Sequence, residues 1–425
     1  MISHQHADSL FTSTATPGAR RLAVSLGLSL LLGTIATATA WADSSAVAVI
    51  GDSIGEGVQS ADAAWQTQVT SYAAWVATQQ GTPLTLPLIN TNALGVVGST
   101  RGRHRIEPDL IASNVAVSGA GLSSLLGNRA DADRPRAINS ETDLVLYPRQ
   151  QTQLEAIEAA PPQWLLCWIG NNDVLSAVTS FGSLDASQLT PAAEFEADFI
   201  ALTDRLDALI NNHGTRVVFA NIPDVTDIAF LLDRAAAEAL TGFSLELPAG
   251  TLTSLPAALL MRYFGDDALL ERPNFVLTQE ELEVIQDRIR VLNSIIAREA
   301  GRLGMPVVDI NAVFKAWVEN PISIDGFTLS NQPFGGLFST DGVHPSNTGH
   351  ALIANEFIAT INQHFGASIA PIDPETLSFV FQTDPYIDKN GDGRIAGRPG
   401  VGLLESLALL IGLSGDSREL PASEP

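Results

Sequence analysis

The sequence predicts an α/β protein, a three-layer α/β/α sandwich around a central, mostly parallel sheet, and three observations carry that reading. Short, mostly apolar runs at residues 46–50, 163–169, 216–220 and 306–310 read as strands of a buried sheet. Between them lie long segments whose apolar residues recur every three or four positions, the stripe of a helix packed on a sheet. Polar, chemistry-bearing residues follow directly on the ends of the first two runs, where open α/β sheets gather their reactive groups.

Residues 46–50 (Ala-Val-Ala-Val-Ile) form a buried strand that delivers Ser53 to a turn in Gly51-Asp52-Ser53-Ile54-Gly55. The same Gly-Asp-Ser recurs at Gly415-Asp416-Ser417 behind a less strand-like lead-in, so the tripeptide alone proves little. Taken singly, Ser53 reads as the N-cap of a following helix. Further on, a helix is expected over 65–80, closing at Gly81, and the Gly/Pro/Thr/Asn-rich stretch 82–105 reads as an irregular excursion. Residues 114–120 give a second strand ending in a small-residue turn, and 128–149 are loop-like. A helix at 153–160 stops at Pro161-Pro162 before the strand that runs to Ile169.

Phe195, Phe199, Leu202, Leu206 and Leu209 mark an amphipathic helix closed by Gly214. After the strand at 216–220, Leu282, Ile285, Ile289, Leu292 and Ile296 repeat the helical spacing, 306–310 supplies another strand, and a last helix spans 346–365. Residues 227–274 interrupt the alternation with an apolar, poorly periodic insertion, too long for an ordinary connection.

With 425 residues, 45% hydrophobic and 16% charged, the chain can bury a large core in one elaborated domain or two smaller ones. Its formal charge of -24, with lysine only at Lys315 and Lys389, argues against a nucleic-acid partner. Arg20-Arg21, the mostly apolar run 22–35 and the small residues up to Ala42 predict a signal peptide over 1–42, cleaved after Ala40 or Ala42. The apolar run is short of the ~20 residues a spanning helix needs, so the mature chain is expected to be secreted or periplasmic, with no transmembrane segment. Cys167, the single cysteine, lies in an apolar run and reads as packing.

Three further motifs sit just after predicted strands or before the last helix: Gly119 in Ser118-Gly119-Ala120, Asn172 in Gly170-Asn171-Asn172-Asp173, and Asp341-Gly342-Val343-His344-Pro345. Singly these read as turns and helix caps. His344 is nevertheless the only histidine preceded three residues earlier by an aspartate. On these blocks, which span about 46–365, the chain resembles the SGNH/GDSL hydrolase family, whose name lists the serine, glycine, asparagine and histidine of its signature. It differs in carrying Ile54 where the family's name motif has leucine.

Carried over residue by residue, the resemblance implies Ser53 as nucleophile, Asp341 and His344 as the other triad members, and Gly119 and Asn172 as oxyanion donors. It also implies a flavodoxin-like strand order in a hydrolase domain over 43–370. In that chemistry the histidine takes the serine proton during attack on an ester carbonyl, and the aspartate holds the imidazole tautomer. Gly-Asp-Ser-Ile-Gly also fits the G-x-S-x-G elbow of α/β-hydrolases, but there the serine follows several strands and the acid and histidine lie on separate loops.

The C-terminal extension, 371–425, holds Asp388, Asn390 and Asp392 at alternate positions with Gly393 at position six, like half of an EF-hand calcium loop. Position twelve is Pro399 instead of an acid, and an Asn/Gly/Asp turn fits equally. Calcium there would be structural, since triad hydrolysis needs no cofactor. The expected function is an exported lipase- or esterase-like acylhydrolase acting on small-molecule or lipid esters. A carbohydrate deacetylase and a non-catalytic, calcium-stabilised binding protein are the alternatives.

Overall fold

The computed structural model describes residues 47–95, 99–179 and 184–398. The expected signal peptide, the second Gly-Asp-Ser and Pro399 lie outside the described residues. The central sheet runs β1 (Val47–Gly51), β2 (Trp164–Trp168), β3 (Arg216–Ala220), β4 (Val307–Val308), all parallel, with Val49 beside Leu166 and Leu166 beside Val218. Residues 113–117 run along the other edge of β1. Val49 N–H donates to the Ser113 carbonyl at 3.0 Å, and Val115 and Val117 N–H donate to Val49 and Gly51 at 2.9 and 3.1 Å. Numbered along the chain, the five segments lie in the order 2-1-3-4-5, the flavodoxin-like order. The site belongs at its switch point, between β1 and β2.

Side chains of a strand alternate between faces, and here each face has its own helix layer. The helices used below are α1 (Ser53–Glu56), α2 (Tyr72–Gln80), α3 (Asn172–Thr179), α4 (Ala192–His213), α5 (Gln279–Arg302) and α6 (Asn347–Phe365). Ala48, Ile50, Leu165, Cys167, Val217 and Phe219 pack with Val174 of α3, Phe199 and Leu206 of α4, and Ile289 of α5. Val47, Val49, Leu166, Trp168 and Val218 pack with Tyr72 of α2 and Phe357 of α6. Each such large side chain, fully buried, contributes on the order of 1.5–3 kcal/mol. Cys167 is buried in the first of these layers, as its apolar context implies, and burial pushes its thiol well up.

Several expectations are corrected locally. The helix expected over 65–80 is two helices, Trp65–Gln68 and α2, because Ser71 caps the second through the Ala74 N–H. The Gln68 side chain meanwhile turns out to hold the excursion at Pro87 and Ile89. The strand at 306–310 ends at Val308, where Asp309 caps helix Ile310–Glu319. Residues 128–149 are not all loop, since Ser140 caps helix Glu141–Leu146. Beyond residue 370, helix Pro374–Thr383 packs Val380 and Phe381 into the two core layers, so this extension adds to the main core.

The insertion folds on itself. Leu231–Leu232, Leu252–Ser254 and Val276–Leu277 make a small antiparallel sheet, and Leu232, Ala237, Leu245, Leu255, Ala258 and Met261 form a separate core. Its apolar content is spent mainly there, which explains the lack of a clear period.

Candidate active site

Gly51 ends β1 with its N–H donating to Gln153 Oε1 at 2.9 Å and its carbonyl accepting from Gln153 Nε2 at 3.0 Å. Asp52 then caps α1: its Oδ1 accepts the Ile54 N–H at 3.0 Å and its Oδ2 accepts Asn171 Nδ2 at 2.9 Å. The capping role that Ser53 could have filled therefore belongs to Asp52, and the serine hydroxyl is left for another partner. Burial pushes the Asp52 carboxyl up to about 6, against the pull of Asn171, the Ile54 N–H and His344.

That partner comes from 291 residues away: Ser53 Oγ lies 2.8 Å from His344 Nε2, and His344 Nδ1 lies 2.6 Å from Asp341 Oδ2. Asp341 Oδ1 accepts the N–H groups of Val343 and His344, each at 2.9 Å, so a short turn aims its own acid at its own imidazole. Burial alone would raise the Asp341 carboxyl, but the His344 charge and the bonds from the His344 ring and the two N–H groups hold it below the usual range. An ionised acid at Nδ1 places the proton there and leaves Nε2 as the acceptor facing Ser53.

A second turn braces the acid. Ala61 N–H donates to Asp341 Oδ2 at 2.7 Å and Ser60 N–H to Ser339 Oγ at 2.9 Å. Ser60 and Ala61 sit at positive φ, 54° and 58°, a conformation that costs a side-chain-bearing residue ~1 kcal/mol or more. Gly342, with φ at 70°, lies against the Phe230 backbone, whose N–H donates to its carbonyl at 2.8 Å. The root of the insertion is thus clamped to the acid–histidine turn.

Gly119 is exposed with φ at 77° and a Cβ added there would meet no other atom within 4 Å. Left-handed backbone, not crowding, is what calls for glycine. Asn172 opens α3 and its Nδ2 donates to the Ala120 carbonyl at 2.9 Å, tying the Gly119 turn to the end of β2. An amide carries two such hydrogens, so a second one is available.

An apolar cavity of about 50 Å³ adjoins this centre, lined by Ile54, Leu175, Val225, Ile228, Phe314 and Val343 among others. Ile54 follows Ser53 and Val343 precedes His344 in the chain, so the chain neighbours of both residues line the cavity, although Ser53 and His344 themselves do not. Val225 and Ile228 come from the stretch entering the insertion; its self-packed body supplies no lining residue.

Behind the serine lies a buried charge cluster that no local sequence pattern marks. Arg103, its side chain wholly buried, sits 2.6 Å from Glu141 Oε2, 3.1 Å from Asp62 Oδ1 and 3.9 Å from Glu56 Oε1. Glu56 Oε2 accepts the Ser118 N–H at 2.7 Å and also the Ser118 hydroxyl. Burial first, and then the Glu141 charge, push the Glu56 carboxyl up to about 8, against Arg103 and the Ser118 bonds.

Such an acid stays protonated in the folded chain at pH values where the unfolded chain has ionised it. Its contribution to stability is therefore full below the ordinary carboxylate range and lost as pH rises to about 8. Asp62 and Asp52, each raised to about 6, act with the same sign over a lower window. Glu56→Gln, neutral in both states, removes one such slope. Urea midpoints from about pH 5 to 9 should show the wild type losing stability relative to this variant up to about pH 8, then running level with it. Parallel curves throughout would contradict the assignment.

At the C-terminal loop, Asp388 Oδ1 accepts the Gly391 and Asp392 N–H groups at 2.8 and 3.1 Å, and its Oδ2 accepts the Gly393 N–H at 2.7 Å. Asn390 Nδ2 donates to Asp392 Oδ2 at 3.0 Å. This is a turn closed by its own side chains. Among the described residues, no group of three or more His, Cys, Asp or Glu side chains could hold a metal ion.

At the switch point of a parallel sheet flanked by helices, serine, histidine and aspartate are hydrogen-bonded in series, the arrangement that serine hydrolases require. The chain belongs to the GDSL-like lipase/acylhydrolase family, whose model matches residues 47–357. Among solved structures it is similar to an acetylxylan esterase from Geobacillus stearothermophilus, at 15% identity over 75% of this chain and 94% of that one, with a TM-score of 0.38. It is similar as well to an extracellular lipase from Streptomyces rimosus, at 15% identity over 75% and 99% of the two chains and a TM-score of 0.35. A phospholipase A1 from Streptomyces albidoflavus matches at 15% identity over 76% and 100%, with a TM-score of 0.35. No curated protein matches the chain. Among the described residues, no helix is long and apolar enough to cross a membrane.

Proposed function

We propose that the protein is an exported serine ester hydrolase for esters with an apolar acyl group. Ser53 Oγ attacks the ester carbonyl carbon while His344 Nε2 takes its proton, and Asp341 stabilises the imidazolium that forms. Gly119 N–H and the second Asn172 amide hydrogen serve the oxyanion of the tetrahedral intermediate. As that intermediate collapses, the alcohol leaves with the proton from His344, and an acyl group remains on Ser53. Water, deprotonated by His344, then attacks this acyl-enzyme, which releases the carboxylic acid and returns the proton to Ser53. The hydrogen-bonded series Asp341–His344–Ser53 is the observation that supports this reading most.

The preference for an apolar acyl group rests on the cavity beside Ile54 and Val343. Export rests on the N-terminal pattern of Arg20-Arg21, an apolar run and small residues. Any calcium held by Asp388, Asn390 and Asp392 would be structural. Across p-nitrophenyl esters of increasing length, kcat/KM is expected to rise from acetate to a medium chain by about 10-fold or more, since each methylene buried in an apolar pocket adds about 0.8 kcal/mol. A strict preference for acetate would count against the acyl pocket and for a deacetylase.

A further inference from the structure

Arg103 belongs to the excursion before the second parallel segment, on strand Arg103–Arg105, which pairs with Ile89–Thr91. Its guanidinium reaches three acids carried by different parts of the chain. Glu56 ends α1, the helix that Ser53 opens, and through Ser118 it holds the residue before Gly119. Asp62 follows the strained pair Ser60 and Ala61, whose N–H groups brace Ser339 and Asp341. Glu141 opens helix Glu141–Leu146 and closes the cluster from the far side. One cation thus stands behind the nucleophile helix, the Gly119 turn and the brace on the acid.

We propose that Arg103 is a positioning residue for the reaction proposed above, fixing Ser53, Gly119 and Asp341 relative to one another through Glu56 and Asp62. The inference rests on that reading. The guanidinium fits the task because its planar fork addresses several carboxylates at once, which a point-charged lysine does less well. Without it three buried acids, Glu56 already inclined to hold its proton, would face one another with no cation, and the segments they anchor would move apart or take up further protons. A displacement near 1 Å between reacting groups costs on the order of 100-fold in rate. Since Arg103 touches no substrate, the loss falls on kcat.

The test uses the full chain with Arg103→Met, Arg103→Lys and Asp62→Asn, each checked for fold by circular dichroism. The readouts are kcat and KM on a p-nitrophenyl ester and the rate of labelling by a fluorophosphonate. Arg103→Met is expected to lower kcat and labelling roughly 100-fold with KM within about 3-fold, and Arg103→Lys to recover about 10-fold of that loss. Should Arg103→Met not fold, Asp62→Asn, which keeps the side-chain shape, carries the test with an expected loss of about 10-fold in kcat at unchanged KM. Folded variants that label at the wild-type rate, or lose activity only through KM, would overturn the proposal. Wild-type protein that neither labels nor hydrolyses would instead overturn the serine hydrolase reading, and the positioning role with it.

Discussion

Replacing Ser53 by alanine is expected to abolish fluorophosphonate labelling and to lower kcat by roughly 10⁴- to 10⁶-fold, the range seen when a serine nucleophile is removed. The geometry makes this a clean substitution. The Ser53 hydroxyl pairs with His344 Nε2, while the cap of α1 is supplied by Asp52. Deleting one oxygen leaves the cap, the Gln153 clamp on Gly51 and the apolar packing of β1 in place. Thermal unfolding should therefore stay close to wild type while turnover vanishes. Labelling that persists in a folded Ser53→Ala protein would move the nucleophile elsewhere in the chain.

Asp341→Asn is expected to cost roughly 10⁴-fold in kcat with the fold retained. An asparagine can still accept the Val343 and His344 N–H groups through one oxygen. Its amide nitrogen would then stand where Oδ2 accepts both the Ala61 N–H and the His344 ring. Donor would meet donor at both contacts. The imidazole escapes by shifting its proton to Nε2, where it can no longer act as a base toward Ser53. Kinetics on a p-nitrophenyl ester check this, and a variant within about 10-fold of wild type would mean that Asp341 does not orient the base.

Much of this arrangement can be read in the sequence because it depends on local pattern. The run before Gly51 is apolar at every position, so its burial on both faces and the abrupt polar turn after it are legible without neighbours. Asp341 and His344 share a turn closed by its own backbone, which makes their spacing informative. The break at Ser71 was harder to see, because a lone serine between two helix-compatible stretches is an ordinary surface residue unless its cap is known. Asp309 did carry a signal, since an acid inside Pro-Val-Val-Asp-Ile marks a helix start as readily as a strand.

The Arg103 cluster had no such local mark. In Arg101-Gly-Arg-His-Arg105 the arginine reads as a surface charge, and its partners lie 38 to 47 positions away. Only the folded chain brings an excess of acid to one buried cation. Asp52 and Asn171 fall between these cases: both stood in motifs read from the sequence, and their supporting hydrogen bond appears only in three dimensions.

The solitary Cys167 has a practical side. Its sulfur is shut inside the sheet with its thiol pushed far up, so thiol reagents find a silent background. A cysteine introduced at Tyr263, 78% exposed on the insertion, would be the sole reactive handle on the molecule. A dye or spin label attached there would report from the very subdomain whose root is clamped to the acid–histidine turn.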